Sequence, residues 1–196
     1  MKVDKILKMF AQLSVEKASR VLEKLVRNEA KIVLQDTYAA DISQVTAKIN
    51  EIDSKIIGAF VDIEGDINFK FLFYMEERDA LSLTDLMLRR SVGTTTEFNK
   101  YVYSAVKEMG NILSSAVAAA FAADFDVSLR PCPPDLLHDF GGTVFEEYIM
   151  RSTPEADTIL IIESIFKVVG TDMRCTMYII PGDGSDKILH YLVAAE

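Results

Sequence analysis

A chain of 196 residues, 49% hydrophobic and 26% charged, can bury a sizeable core and has the make-up of a globular protein, which excludes an intrinsically disordered one. Thirty acidic residues against 21 basic ones, a formal net charge of −9, exclude a nucleic-acid binder, because affinity for a phosphate backbone rests on clustered Lys and Arg. Two cysteines, Cys132 and Cys175, have no metal-ligand spacing and make no disulfide framework, so both read as reduced thiols in or near the core. The stretch Met1–Phe10 mixes charge into every turn, and the most apolar run, Ile112–Phe125, is interrupted by Ser114, Ser115 and Asp124. Neither reads as a signal peptide or a membrane span, so the expectation is a cytoplasmic protein without membrane insertion.

Residues 4–28 predict one amphipathic helix, since Ile6, Leu7, Phe10, Leu13, Ala18, Val21, Leu22, Leu25 and Val26 recur at helical spacing, with Ser14 as the point for a bend. Ala30–Leu34 reads as a short strand, and the polar Gln35–Gln44 as a loop with a helical turn. Lys55–Ile63 and Ile67–Met75 flank Glu64-Gly-Asp66 and predict a hairpin. Asp79 is the candidate N-cap of a short helix through about Arg90.

Ser91–Thr96 breaks the pattern as a linker, after which helix returns from about Glu97 to Phe125. Gly110 costs that helix about 1 kcal/mol relative to Ala, which a second backbone lying close beside it would explain. Val127–Arg130 reads as a short strand, and Pro131, Pro133 and Pro134 stiffen an extended loop behind it. Thr158–Phe166 and Met173–Ile180 form a second hairpin, and Ser185–Leu192 begins a final short helix. Long helix, short strand, loop, hairpin and short helix thus occur twice, at about 4–90 and 97–193, which predicts an internal duplication within one domain spanning 1–196.

On the second long helix, Ser104, Glu108, Asn111 and Ser115 fall on one narrow polar stripe, while Val102, Val106, Met109, Ile112, Leu113 and Ala116 occupy the other sides. A stripe of this kind on its own describes a solvated helix face. Here the residues continue as Ser104-x3-Glu108-x2-Asn111-x22-Pro134, and the flanking text is Glu-Met-Gly-Asn-Ile-Leu-Ser-Ser-Ala with Pro131-Cys-Pro-Pro134 further on. That spacing resembles the signature of the CheC/CheX/FliY phosphatases, which remove phosphate from the chemotaxis response regulator CheY; the flanking text is similar to CheC in particular.

The resemblance implies an α+β, internally duplicated fold: a shared, mostly antiparallel sheet with two long helices side by side on one face and a pseudo-twofold between the halves. It implies that Asn111 enters the regulator's active site and holds the attacking water, and that Glu108 pairs with the regulator's Lys. Pro134 would hold the loop against the helix, and Ser104 is the most expendable of the four. The chain itself would bind no cofactor or metal, the Mg²⁺ being expected on the partner, a phosphorylated CheY-like receiver domain. Sliding the first half by 99 positions places Met9 over Glu108, Gln12 over Asn111 and Gln35 over Pro134. Met9 cannot make the ionic contact of a glutamate, so one working site is expected, with a degenerate first one.

Two other readings stay open on the sequence: a non-catalytic CheC-like adaptor or flagellar-switch module that binds phospho-CheY or another chemotaxis protein, and a chance match in an unrelated globular protein. Some family members are regulated by the deamidase CheD through a last short helix; Asp186–Leu192 stands in that place but matches no motif residue by residue. A fused duplication makes a monomer the simplest expectation. His138 and His190 are isolated from one another and read as structural or surface histidines.

Overall fold

The computed structural model describes residues 3–27, 29–51, 53–151, 158–168 and 171–182. Their elements follow in the order α1 (Val3–Val26), β1 (Ala30–Asp41), α2 (Ile42–Asn50), β2 (Lys55–Gly65), β3 (Phe69–Glu76), α3 (Glu77–Met87), α4 (Lys100–Phe125), β4 (Leu129–Pro131), β5 (Asp135–Phe140), α5 (Gly141–Arg151), β6 (Thr158–Val168) and β7 (Thr171–Pro181). One seven-stranded sheet runs β1-β6-β7-β3-β2-β4, with β5 following β4 along the same edge of β2. Every pairing in it is antiparallel.

The order is symmetric about its centre. The two hairpins, β2–β3 and β6–β7, meet through β3 and β7, and each is flanked by a strand from the other half of the chain: β1 lies on β6, and β4 with β5 lies on β2. The same 99-residue slide that aligns the long helices carries Ala30–Asp41 onto the whole span from Leu129 to Phe140.

Side chains alternate across a strand, so each hairpin feeds two apolar layers. On one face Ile57, Ala59, Val61 and Ile63 of β2 join Phe71 and Phe73 of β3 under α1, α3 and α4. Phe121 sits at the centre of that layer, with its ring 4.3 Å from Phe10 of α1 and 4.9 Å from Phe69 of β3. On the other face Ile56, Phe60 and Leu72 pack with Val45 and Ile49 of α2 and with Val144, Phe145 and Tyr148 of α5. The two long helices therefore lie side by side on one face as expected, and α2 and α5 cover the other.

Four expectations need correction. Gln35–Gln44 is not a loop: β1 continues to Asp41 because β6 supplies a ladder from Ala30↔Val168 to Asp41↔Thr158, and α2 follows at once. Thr37, buried within that ladder, also donates its hydroxyl to the Ile161 carbonyl at 2.9 Å. Asp79 does not cap α3; the helix starts after Glu76, and buried Asp79 instead accepts the Arg174 backbone N–H at 2.8 Å, tying α3 to β7. That helix also ends at Met87, where Arg89 turns left-handed at φ 57°, rather than at Arg90.

The extended loop after Pro134 is instead strand β5 and helix α5. Two glycines at the start of α5 argue against a helix on propensity, and burial of Val144, Phe145 and Tyr148 overrides them. At Ser14, the point read for a bend, the helix runs on without a break and the hydroxyl donates to the Phe10 carbonyl at 3.0 Å. The helix expected at Ser185–Leu192, like His190, lies outside the described residues. No helix among the described residues is long and apolar enough to cross a membrane.

Candidate functional site

Helix α4 begins where Asn99 turns its side-chain oxygen to accept the Tyr101 N–H at 2.9 Å, so it starts at Lys100, three residues beyond the expected Glu97. From there the helix carries its polar stripe outward. Ser104, Glu108 and Ser115 are exposed and Asn111 is half-buried, whereas Val102, Val106, Met109, Ile112, Leu113 and Ala116 are all buried. Ser104 folds its hydroxyl back to the Lys100 carbonyl at 2.9 Å, so it is occupied within its own helix. The Glu108 carboxylate and the Asn111 amide, one turn apart, make no hydrogen bond or ion pair to any described residue.

Behind them stands Pro134, buried in the connection between β4 and β5. Cys132, two residues earlier, donates its N–H to the Asp62 carbonyl at 2.7 Å and so holds this connection against β2. The contact with the helix is made at Gly110. A Cβ there would lie 2.9 Å from the Ala59 Cβ and 3.6 Å from the Pro134 Cγ. The close approach expected from Gly110 thus has its cause: glycine lets α4 settle onto β2 and Pro134 between Glu108 and Asn111. Gly110→Val should cost about 2 kcal/mol by overpacking, seen as a lower urea midpoint; a midpoint equal to the parent's would show that the seam has room.

The first half is built differently at the matching positions. Met9 is 64% exposed on α1, and Gln12, also exposed, donates its amide to Glu16 at 2.8 Å along the same helix. Gln35 is not in a loop but at the bulge in β1, where the register shifts between Leu34 and Asp36. The interruption that separates β4 from β5 around Pro134 is here contracted to one exposed residue of an otherwise continuous strand. Met9, Gln12 and Gln35 therefore share the placement of Glu108, Asn111 and Pro134 along the chain but not their chemistry.

The two cysteines sit as thiols in the fold. Cys175 is buried, and burial, with Asp79 adding to it, pushes its pKa well up; Cys132 is half-buried and raised for the same first reason, with Glu64 reinforcing it. A raised pKa keeps a thiol protonated and a poor nucleophile. Among the described residues no three His, Cys, Asp or Glu side chains converge to hold a metal ion.

One group beside the stripe was not legible in the sequence. His138 of β5 stacks on Phe98 with ring centroids 4.0 Å apart, places Nε2 2.6 Å from Glu77 of α3, and turns Nδ1 toward the Tyr103 hydroxyl at 3.4 Å. The histidine is thus structural, as read, and its three partners come from three separate segments of the chain: α3, the stretch before α4, and α4 itself. Only the position of Tyr103, next to Ser104 at the start of the stripe, could have pointed to it.

A sheet with two long helices on one face is an α+β architecture, and its likeness to solved structures makes it the CheC/CheX/FliY fold. No family model matches the chain. Among solved structures it is similar to FliY of Thermotoga maritima, with a TM-score of 0.77 at 14% identity over 100% of this chain and 98% of that one. It is similar also to the FliM middle domain of H. pylori, at TM-score 0.65 and 10% identity over 93% of this chain and 95% of that one. A third likeness is to the CheX–CheY–BeF3–Mg²⁺ complex of Borrelia burgdorferi, at TM-score 0.52 and 14% identity over 89% of this chain and 98% of that one. At such identities the likeness establishes the fold.

Proposed function

We propose that this protein is a phosphatase for the aspartyl phosphate of a CheY-like receiver domain in chemotaxis signalling, a single-site member of the CheC/CheX/FliY group acting as one domain. The observation that carries the reading is the uncommitted pair on α4: a carboxylate and an amide one turn apart, facing outward, with Pro134 packed against the glycine between them. Gln12 and Ser104, by contrast, are each bonded within their own helix. Glu108 and Asn111 keep their hydrogen-bonding capacity for a group outside the chain.

Hydrolysis of an acyl phosphate needs an in-line water and compensation of charge on the equatorial oxygens, so positioning does most of the work. A carboxamide offers one acceptor and two donors but no useful basicity, so Asn111 orients the water and does not deprotonate it. Glu108 pairs with the receiver's active-site Lys, a charge-assisted contact that sets the register of the two proteins. The Mg²⁺ belongs to the receiver's own carboxylates. Pro134 and Gly110 together fix how far the helix stands from the sheet, and with it the reach of both side chains.

A second reading, a switch module that binds without turnover, is favoured by the likeness to the FliM middle domain. Phosphate release from a phosphorylated receiver, with and without this protein, separates the two. Stimulated release supports the phosphatase, and binding without release supports the switch module. In the same assay Glu108→Lys should weaken association on the order of tenfold, because attraction to the receiver's Lys becomes a like-charge clash, and the difference should shrink as salt rises. Equal affinity of parent and variant across the salt titration would remove Glu108 from the interface.

A further inference from the structure

Beside the stripe, one turn before Lys107, stands a residue that the chemistry above leaves without a part. Tyr103, Lys107 and Asn111 succeed one another at i, i+4 spacing on the same side of α4, so the tyrosine stands about 12 Å along the axis from the amide. Its side chain is 39% exposed. An exposed tyrosine ordinarily samples several rotamers, yet this one makes three contacts with two neighbouring side chains. Phe98 meets its ring edge-on with centroids 6.0 Å apart, His138 meets it edge-on at 6.3 Å, and the His138 Nδ1 lies 3.4 Å from its hydroxyl.

The holding group is itself held. His138 stacks flat on Phe98, with an interplanar angle of 16°, and its Nε2 is 2.6 Å from the Glu77 carboxylate. A carboxylate only accepts, so Nε2 carries the proton, and in the neutral imidazole Nδ1 is left to accept from the Tyr103 hydroxyl. Strand β5, helix α3 and the segment before α4 thus cooperate to orient one half-exposed ring. Much of that ring stays in water, so the arrangement does little for the apolar core. What it provides is an ordered amphipathic surface whose rotamer freedom is already restricted before anything binds.

We propose that Tyr103 is a preorganised anchor for the receiver domain, gripping its surface beside the pocket that Asn111 enters. The inference rests on the phosphatase reading of this helix and extends it to the residue that sets affinity. A receiver that brings its phosphate to Asn111 and its Lys to Glu108 covers the adjacent turns of α4, and an immobilised tyrosine there contributes contact area at low entropic cost. Tyr103 is not a catalytic residue in this scheme. It acts on how often and how squarely the complex forms.

The test uses the full chain with a CheY-type receiver domain, phosphorylated with acetyl phosphate and Mg²⁺ for turnover and loaded with beryllofluoride for binding. Tyr103→Ala is expected to raise KM and weaken beryllofluoride-receiver binding about tenfold, with kcat nearly unchanged. Tyr103→Phe, which keeps the ring and loses the bond to His138, should fall between, and circular dichroism should match the parent for both. A parent-like KM in Tyr103→Ala, alongside Asn111-dependent turnover, overturns the anchor and leaves the phosphatase standing. Binding that Tyr103→Ala weakens, with no turnover by the parent, removes the phosphatase and keeps the anchor. No receiver binding by the parent at all overturns both.

Discussion

Asn111→Ala is expected to lower stimulated dephosphorylation of the receiver by about a hundredfold or more, because it removes the group that places the attacking water. The fold should be untouched. The amide makes no hydrogen bond to any described residue, so its loss orphans nothing inside the protein, and alanine is the better helix former. Binding should fall far less than turnover, which distinguishes this variant from Glu108→Lys. Full activity in Asn111→Ala, with unchanged circular dichroism, would take the chemistry away from this helix. The first half should supply no background, since Gln12 is one methylene longer than Asn and already donates to Glu16, and Met9 carries no charge. Residual catalysis in Asn111→Ala that disappears on adding Gln12→Ala would show the first half to be active.

Asp85→Ala should cost about 3 kcal/mol of stability, the largest loss expected from a side chain remote from the stripe. Asp85 is fully buried at the end of α3 and accepts the N–H groups of Thr94 and Thr95 and the Thr95 hydroxyl, so it organises the segment that delivers the chain to α4. Burial on its own would raise its pKa, but the hydrogen bonds from Thr95, Thr94 and Gly93 outweigh burial and hold it below the ordinary aspartate value. A carboxyl depressed in the folded state stabilises the protein above its unfolded pKa, and that contribution is lost as pH falls through the folded pKa. Urea titrations should therefore show the gap between the parent and Asp85→Asn open at pH 7 and closing in strong acid. A gap independent of pH would mean that the charge on Asp85 does not hold this turn.

Some of this was written in local pattern. The 3.6-residue recurrence from Phe10 to Val26 and from Val102 to Phe121 is strong enough to identify both long helices, because each presents a continuous apolar face to one sheet. The runs at Ile56–Ile63 and Phe69–Met75 reveal a central hairpin since both of its faces are largely buried, with Asp62 and Lys70 the only charges inside the two runs. Strand β1 is the opposite case. Only Ile32 and Thr37 are buried along it, so its sequence carries almost no alternation, and its second half is a strand only because β6, more than a hundred residues away, offers a ladder.

The candidate site divides along the same line. Helical spacing alone places Ser104, Glu108, Asn111 and Ser115 on one stripe, and the distance to Pro134 gives the resemblance its specificity. Which of those side chains keeps free hydrogen-bonding capacity is not a property of spacing. Ser104 bonds its own helix while Glu108 and Asn111 bond no described residue, Pro134 reaches Gly110 only because β2 carries both α4 and the β4–β5 connection, and Tyr103 is held by residues from α3, β5 and the segment before α4. Periodicity is set by the geometry of one chain segment and survives in the sequence. Contacts between segments depend on where the sheet brings them, and that is decided only when the whole core closes.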